Sequence, residues 1–193
     1  MALPYDVPSS IAVGGLYLSP DDRLTTPLVD YEEGGIALND PSQGLQVQSW
    51  TCYWDKDDGW VYVKADSGSP IQVIQDTTIT EISFAFDQNM KISLAYVAAG
   101  VVKLYWYDST LPGYATTTFA TARSPRVGLD DKRSTQTALS DVIFAYIRGT
   151  SLYYRQQRDR YLTERLLRDG VQASLRLKNI GMSKNLRMQF ELA

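Results

Sequence analysis

Ile92-Ser93-Leu94-Ala95-Tyr96, then Gly100, then Val101-Val102-Lys103-Leu104-Tyr105-Trp106-Tyr107 is the stretch on which the fold turns. Two short runs rich in β-branched and aromatic residues flank a glycine, and Leu111-Pro112-Gly113 closes the second. Runs of this length bounded by turn formers read as paired strands. The order returns in Val142-Ile143-Phe144-Ala145-Tyr146, Gly149 and Ser151-Leu152-Tyr153-Tyr154. Ala95-Tyr96 matches Ala145-Tyr146 at an offset of 50, and Leu104-Tyr105-Trp106 matches Leu152-Tyr153-Tyr154 at 48. A repeat of this size with about four strands per copy is the mark of propeller blades. Two similar hairpins in a sandwich explain it as well, and both readings stay open.

Working outward, Ile82-Ser83-Phe84-Ala85-Phe86, Ile71-Gln72-Val73-Ile74, Trp60-Val61-Tyr62-Val63 and Leu45-Gln46-Val47-Gln48-Ser49-Trp50 add strands on the N-terminal side. Short turns such as Asp55-Lys56-Asp57-Asp58-Gly59 separate them, which makes an antiparallel meander. Residues 1–44 are punctuated by Pro4, Pro8, Gly14-Gly15, Pro20, Pro27, Gly34-Gly35 and Pro41. They read as a loop-rich N-terminal segment, either an arm or the irregular start of the same domain. The expected fold is therefore all-β: antiparallel meanders over 45–193, in blades or in a sandwich, behind that segment. Arg155–Arg168 contains good helix formers, but the alternation of Tyr161, Thr163 and Arg165 with Leu162, Glu164 and Leu166 favours two strands turning near Arg158-Asp159. Leu186-Arg187-Met188-Gln189-Phe190-Glu191-Leu192 alternates cleanly, and with Leu175-Arg176-Leu177 reads as a terminal hairpin.

Composition narrows function. The 193 residues contain no histidine and one cysteine, Cys52. Intrachain disulfides are thereby excluded, and the ligand sets for zinc, haem or iron–sulfur groups are missing, so no cofactor or metal is expected. Cys52, inside the strand-like Trp50-Thr51-Cys52-Tyr53-Trp54, reads as a buried thiol. Thirteen Tyr and four Trp against five Phe suit half-buried sheet faces and interfaces. Met1–Asp6 has neither a basic nor an apolar leader region, and no apolar run approaches a membrane span. The expectation is a chain without a membrane, made in the cytoplasm.

The net charge of −3 conceals a division. Residues 1–81 hold 13 Asp/Glu against 3 Lys/Arg, or −10, and residues 82–193 hold 9 against 16, or +7. Such halves can contact nucleic acid, set register between neighbouring copies, or be two solvated faces. Nucleic acid ranks last, since no recognised motif accompanies the charge. The candidate interaction surface is Arg148, Arg155, Arg158, Arg160 and Arg165 on the basic side, with Asp55, Asp57 and Asp58 on the acidic side.

Chemistry finds little support. Asp55–Gly59 begins like a calcium loop but lacks the later glutamate, so it reads as a hairpin turn. Asp130-Asp131 and Glu32-Glu33 are paired carboxylates of the kind a glycosidase uses, without any spacing that marks acid and nucleophile. No nucleophile elbow, phosphate loop or dinucleotide turn is present, and no catalytic residues are assigned.

Three stretches together resemble a family of tailed-phage structural proteins. They are Gly35-Ile36-Ala37-Leu38-Asn39-Asp40-Pro41-Ser42-Gln43-Gly44-Leu45; Phe84-Ala85-Phe86-Asp87-Gln88-Asn89-Met90; and Ser140-Asp141-Val142-Ile143-Phe144-Ala145-Tyr146 with Leu152-Tyr153-Tyr154-Arg155-Gln156-Gln157-Arg158-Asp159-Arg160-Tyr161. Asn179-Ile180-Gly181-Met182-Ser183-Lys184-Asn185-Leu186-Arg187 is similar to the ending of such proteins. The resemblance implies a non-enzymatic subunit of the virion tail or a tail-attached complex, assembled in the bacterial cytoplasm. Homo-oligomerisation and contact with other tail proteins are its implied partners. The alternative is a carbohydrate-binding module that recognises the host surface through Trp50, Trp54, Trp60, Trp106 and exposed tyrosines.

Overall fold

A computed structural model describes residues 50–65, 68–87, 91–111, 113–130, 141–182 and 188–193, together with the backbone of 17–18 and 24–25. The strands are β1 (Tyr17–Leu18), β2 (Leu24–Thr25), β3 (Trp50–Trp54), β4 (Trp60–Ala65), β5 (Ile71–Gln75), β6 (Ile79–Phe86), β7 (Ile92–Ala98), β8 (Val101–Asp108), β9 (Gly113–Phe119), β10 (Ala122–Leu129), β11 (Val142–Arg148), β12 (Ser151–Gln156), β13 (Arg165–Arg168), β14 (Leu177–Met182) and β15 (Met188–Leu192). The only helical piece among the described residues is a single 3-10 turn, Gln157–Asp159. Every strand pairs antiparallel with its sequence neighbour. Four sheets result: A (β1–β5), B (β6–β9), C (β10–β13) and D (β14–β15).

The sheets stack face to face in chain order, with a separate apolar layer at each junction. Cys52, Trp54, Val61 and Val63 of A meet Ile82, Phe84, Phe86, Leu94 and Tyr96 of B. Val102, Leu104, Trp106 and Phe119 of B meet Val127, Leu129, Val142, Phe144 and Tyr146 of C. Ile143, Ala145, Ile147 and Leu152 of C meet Leu177 and Ile180 of D. Sheets B and C are thus covered on both sides, and this explains their sequences. Second strands β7 and β11 are buried at nearly every position and read as continuous apolar runs, whereas β8, with one fully covered face, alternates. Each fully buried Leu94, Leu104 or Phe144 contributes about 1.5–3 kcal/mol relative to exposure.

The first strands lie side by side. The Val127 amide on β10 donates to Ser83 Oγ on β6 at 3.1 Å. A Cβ on Gly128 would lie 3.1 Å from Ile180 Cγ1 and 3.3 Å from Ile180 O, so a larger residue there would make β14 give by a few tenths of an ångström. No closed barrel forms among the described residues.

The internal repeat falls on equivalent elements, because β7–β8 and β11–β12 are the central hairpins of B and C. The register is offset by 50 throughout, so Leu152 stands where Val102 does and not where Leu104 does, and Gly149 (φ +59°) takes the first turn position, held in sheet B by Ala99 (φ +50°), while Gly100 (φ +76°) takes the second. Arg155–Arg168 is strand, turn and strand, as the alternation predicts, but β13 starts at Arg165 and not at Tyr161. Arg160 and Tyr161 hold φ of 57° and 56°, which no strand can continue through, because the Tyr161 ring turns into the core between B and C. Of the N-terminal segment 1–44, β1 and β2 belong to sheet A, with Leu24 opposite Trp54. The rest of that segment and Leu45–Ser49 lie outside the described residues.

Candidate interaction surface

The five arginines singled out from the sequence all lie on sheet C or on its β12–β13 connection, and each meets an acid of the same chain. Arg148 pairs with Glu164, which also accepts from Tyr146 Oη and, at 3.3 Å, from Arg155. Arg155 donates to Tyr146 Oη at 2.8 Å and to the Tyr161 carbonyl at 2.7 Å. Aromatic faces receive the guanidiniums: Arg148 lies over Tyr153 at 4.9 Å and Arg155 over Phe119 at 5.2 Å. Burial, reinforced by the Glu164 carboxylate, pushes the Tyr146 phenol up to about 12. Burial also works to raise Glu164, but the Tyr146 hydroxyl and two guanidiniums outweigh it and hold this carboxyl below its usual range.

A depressed carboxyl stabilises the fold above its unfolded pKa, and that contribution is lost as pH falls through the folded value. Glu164→Gln should therefore unfold about 2 kcal/mol more easily than the parent at neutral pH, with the difference shrinking as pH drops below the ordinary carboxylate range. Urea titrations at several pH values measure it; a gap constant with pH would mean that the charge of Glu164 is immaterial.

Residues 157–161 form a clasp between sheets B and C. Gln157 Nε2 donates to Asp87 at the end of β6 at 3.0 Å, and Arg160 donates to Asp108 at the end of β8 at 2.6 Å. Arg158 binds Asp141 through both its amide (2.8 Å) and Nε (2.6 Å), and reaches Asp130 at 3.6 Å. Asp108, 141 and 130 are buried while the arginines reach them from solvent. Burial raises Asp141, and Arg158 only partly offsets it. At Asp108 burial is outweighed by Thr110 and Arg160, which hold it low. Arg165 meets Asp159 at 2.9 Å as an ion pair without hydrogen-bond alignment. The clasp places Tyr161 edge-on to Trp106, 5.1 Å between centroids, with its hydroxyl 3.5 Å from Ser93 Oγ.

Asp55, Asp57 and Asp58 lie in the β3–β4 turn of sheet A, two layers away. Asp55 Oδ1 accepts from the Asp57 amide (3.0 Å), and Asp58 accepts from the Trp60 amide (2.8 Å) and Tyr62 Oη. They shape a turn whose Gly59 has φ +74°. The acidic and basic groups are not brought together. Trp54 and Trp106 are core residues, their Nε1 groups donating to the Asp76 carbonyl (3.0 Å) and Thr117 Oγ1 (3.2 Å), while Trp50 and Trp60 are half-buried. A stacking platform for sugars is thus not available on Trp54 or Trp106. Asp130 belongs to the clasp; Asp131, Glu32 and Glu33 lie outside the described residues.

The terminal hairpin read from the sequence is sheet D, although its first strand runs over Leu177–Met182 and not over 175–177. Among the described residues sheet D has two strands where B and C have four. Its apolar side chains Met188, Phe190 and Leu192 turn toward sheet C, as the alternation predicts, yet stay half-buried. Leu186 lies outside the described residues. Arg126 anchors this sheet: from β10 its Nε donates to the Lys178 carbonyl at 2.8 Å, and NH1 pairs with Glu81 of β6. No family model, curated protein or solved structure matches the chain.

Proposed function

We propose that the protein is a non-enzymatic structural subunit of a tailed-phage virion, built into the tail or a tail-attached complex through protein–protein contacts. The observation that carries the reading is sheet D, which among the described residues has two strands and carries half-buried Met188, Phe190 and Leu192 on β15. Half-buried apolar side chains on a strand edge favour contact with another polypeptide. The resemblance of residues 35–45, 84–90, 140–146 with 152–161, and 179–187 to tailed-phage structural proteins supplies the setting. Arg148, Arg155, Arg158, Arg160 and Arg165 serve internal pairs and give the subunit rigidity, so assembly rests on apolar and backbone contacts more than on these charges.

Mass photometry of the purified chain, alone and mixed with the products of neighbouring genes, tests this. The expected result is a defined oligomer or mixed complex that persists from low to high salt, since backbone and apolar contacts are weakly screened. A strict monomer under every one of these conditions overturns the reading.

A further inference from the structure

We propose that the outward face of strands β8 and β9 binds an oligosaccharide, one pyranose ring stacking on Tyr114 while tyrosine and threonine hydroxyls beside it hold the sugar's own. The inference goes beyond the assembly reading and holds equally for a monomer.

Strand alternation builds the face. On β8, Lys103, Tyr105 and Tyr107 alternate with buried Val102, Leu104 and Trp106, and on β9 Tyr114, Thr116 and Thr118 point the same way. Register sets Tyr107 opposite Tyr114, Tyr105 opposite Thr116 and Lys103 opposite Thr118. The core between sheets A and B takes in β6 and β7 and reaches β8 only at half-buried Tyr105. Beyond it Tyr114 is 42% exposed, with Thr116 and Thr118 exposed alongside.

Tyr114 is held in place. Its ring lies parallel to Tyr105, 4.7 Å between centroids and 4° between planes, and forms an edge contact with Tyr107 at 5.4 Å. A ring ordered by two neighbours loses little freedom when a ligand settles on it.

The matching positions of sheet C show the same place put to internal use. Tyr146 stands for Tyr96, Arg155 for Tyr105, and Glu164, just before β13, for Thr116. In C these three bind one another, and Arg155 also donates to the Tyr161 carbonyl. In B the Tyr96 hydroxyl meets Thr116 in the same manner. Tyr105, however, puts a ring where C has a guanidinium. Among the described residues no hydrogen bond takes up the hydroxyls of Tyr105, Tyr107 or Thr118.

The chemistry selects the occupant. These outward positions carry no Leu, Ile, Val, Met or Phe, whereas the centre of a protein interface is apolar. A polyanion needs several free cations, but Lys103 is paired with Asp76 at 3.4 Å. That leaves Lys91, whose ammonium sits 5.0 Å from the centre of the Tyr107 ring. A pyranose combines an apolar face of C–H groups with a rim of hydroxyls, and a fixed ring among free hydroxyls answers both.

The test titrates the full chain with maltohexaose, cellohexaose, chitohexaose and mannohexaose, reading binding by saturation-transfer NMR and calorimetry. At least one should bind with a millimolar or lower Kd. Tyr114→Ala should weaken that sugar about tenfold, and Tyr114→Phe should stay within about twofold, since the ring does the stacking. Thr118→Arg, an exposed change that keeps every ring, should obstruct the face and weaken binding as well. Far-UV circular dichroism and melting temperature establish that each variant is folded. No binding of any of the four sugars at about 10 mM overturns the proposal. So does unchanged affinity in both Tyr114→Ala and Thr118→Arg, or a loss on Trp60→Ala in their place, which assigns the sugar to sheet A. If no sugar binds but mass photometry finds assembly, only this inference falls; a monomer that binds sugar removes the assembly reading alone.

Discussion

Tyr161→Ala is expected to lower stability by about 4 kcal/mol, the largest effect of any single truncation in the clasp. The ring is 2% exposed and fills the junction of sheets B and C, edge-on to both Trp106 and Phe144. Its removal leaves a cavity that neither sheet can fill by itself, since both are held by their own ladders. Tyr161→Phe should cost no more than about 1 kcal/mol, because the hydroxyl's partner, Ser93 Oγ, is 3.5 Å away. Backbone strain makes a further check. At φ 56° alanine is as strained as tyrosine, whereas glycine is not, so Tyr161→Gly should be no worse than Tyr161→Ala. Chemical denaturation of the three variants measures this. A loss below about 1 kcal/mol for alanine would show that the junction does not need the ring.

Arg126→Ala is expected to cost about 3–5 kcal/mol. The Arg126 and Glu81 side chains are only 11% and 10% exposed, so removing the cation leaves a carboxylate with little water and no partner. The Lys178 carbonyl also loses its donor, and sheet D loses its polar tie to the stack. The double variant Arg126→Met, Glu81→Leu should recover most of the loss, because it is the unmatched charge that is penalised and not the absence of the pair. Limited proteolysis should cut Arg126→Ala first between β13 and β14. Additive losses from Arg126→Ala and Glu81→Ala in a double-mutant cycle would show that the two are not coupled.

The arginine stretch shows how far the sequence could be read. Its content of helix formers competed with its alternation, and alternation gave the strand–turn–strand path. What alternation could not show is that Arg160 and Tyr161 adopt left-handed backbone. That choice is made by the space between two sheets, which accepts one tyrosine ring. Arg148, Arg155, Arg158, Arg160 and Arg165 read as a surface because charge counts carry no partners. Asp108, Asp130, Asp141 and Glu164, their partners, come from the ends of other strands or from the next loop. Trp54 and Trp106 likewise read as platforms or core with equal ease until the stacking of A on B and B on C buried them.

Local pattern by itself determined the all-β class, the strands β4 to β8, β11, β12 and the terminal hairpin, and the equivalence of the two central hairpins, while β9 and most of β10 escaped it. Side-chain period and turn residues act over a few positions and need no distant neighbour. Only the tertiary structure decided which charges are consumed internally, how closely Gly128 approaches Ile180, and how the four sheets stack. Those outcomes depend on contacts between residues some fifty positions apart, such as Arg126 and the Lys178 carbonyl, and chain-local preference contains no record of them.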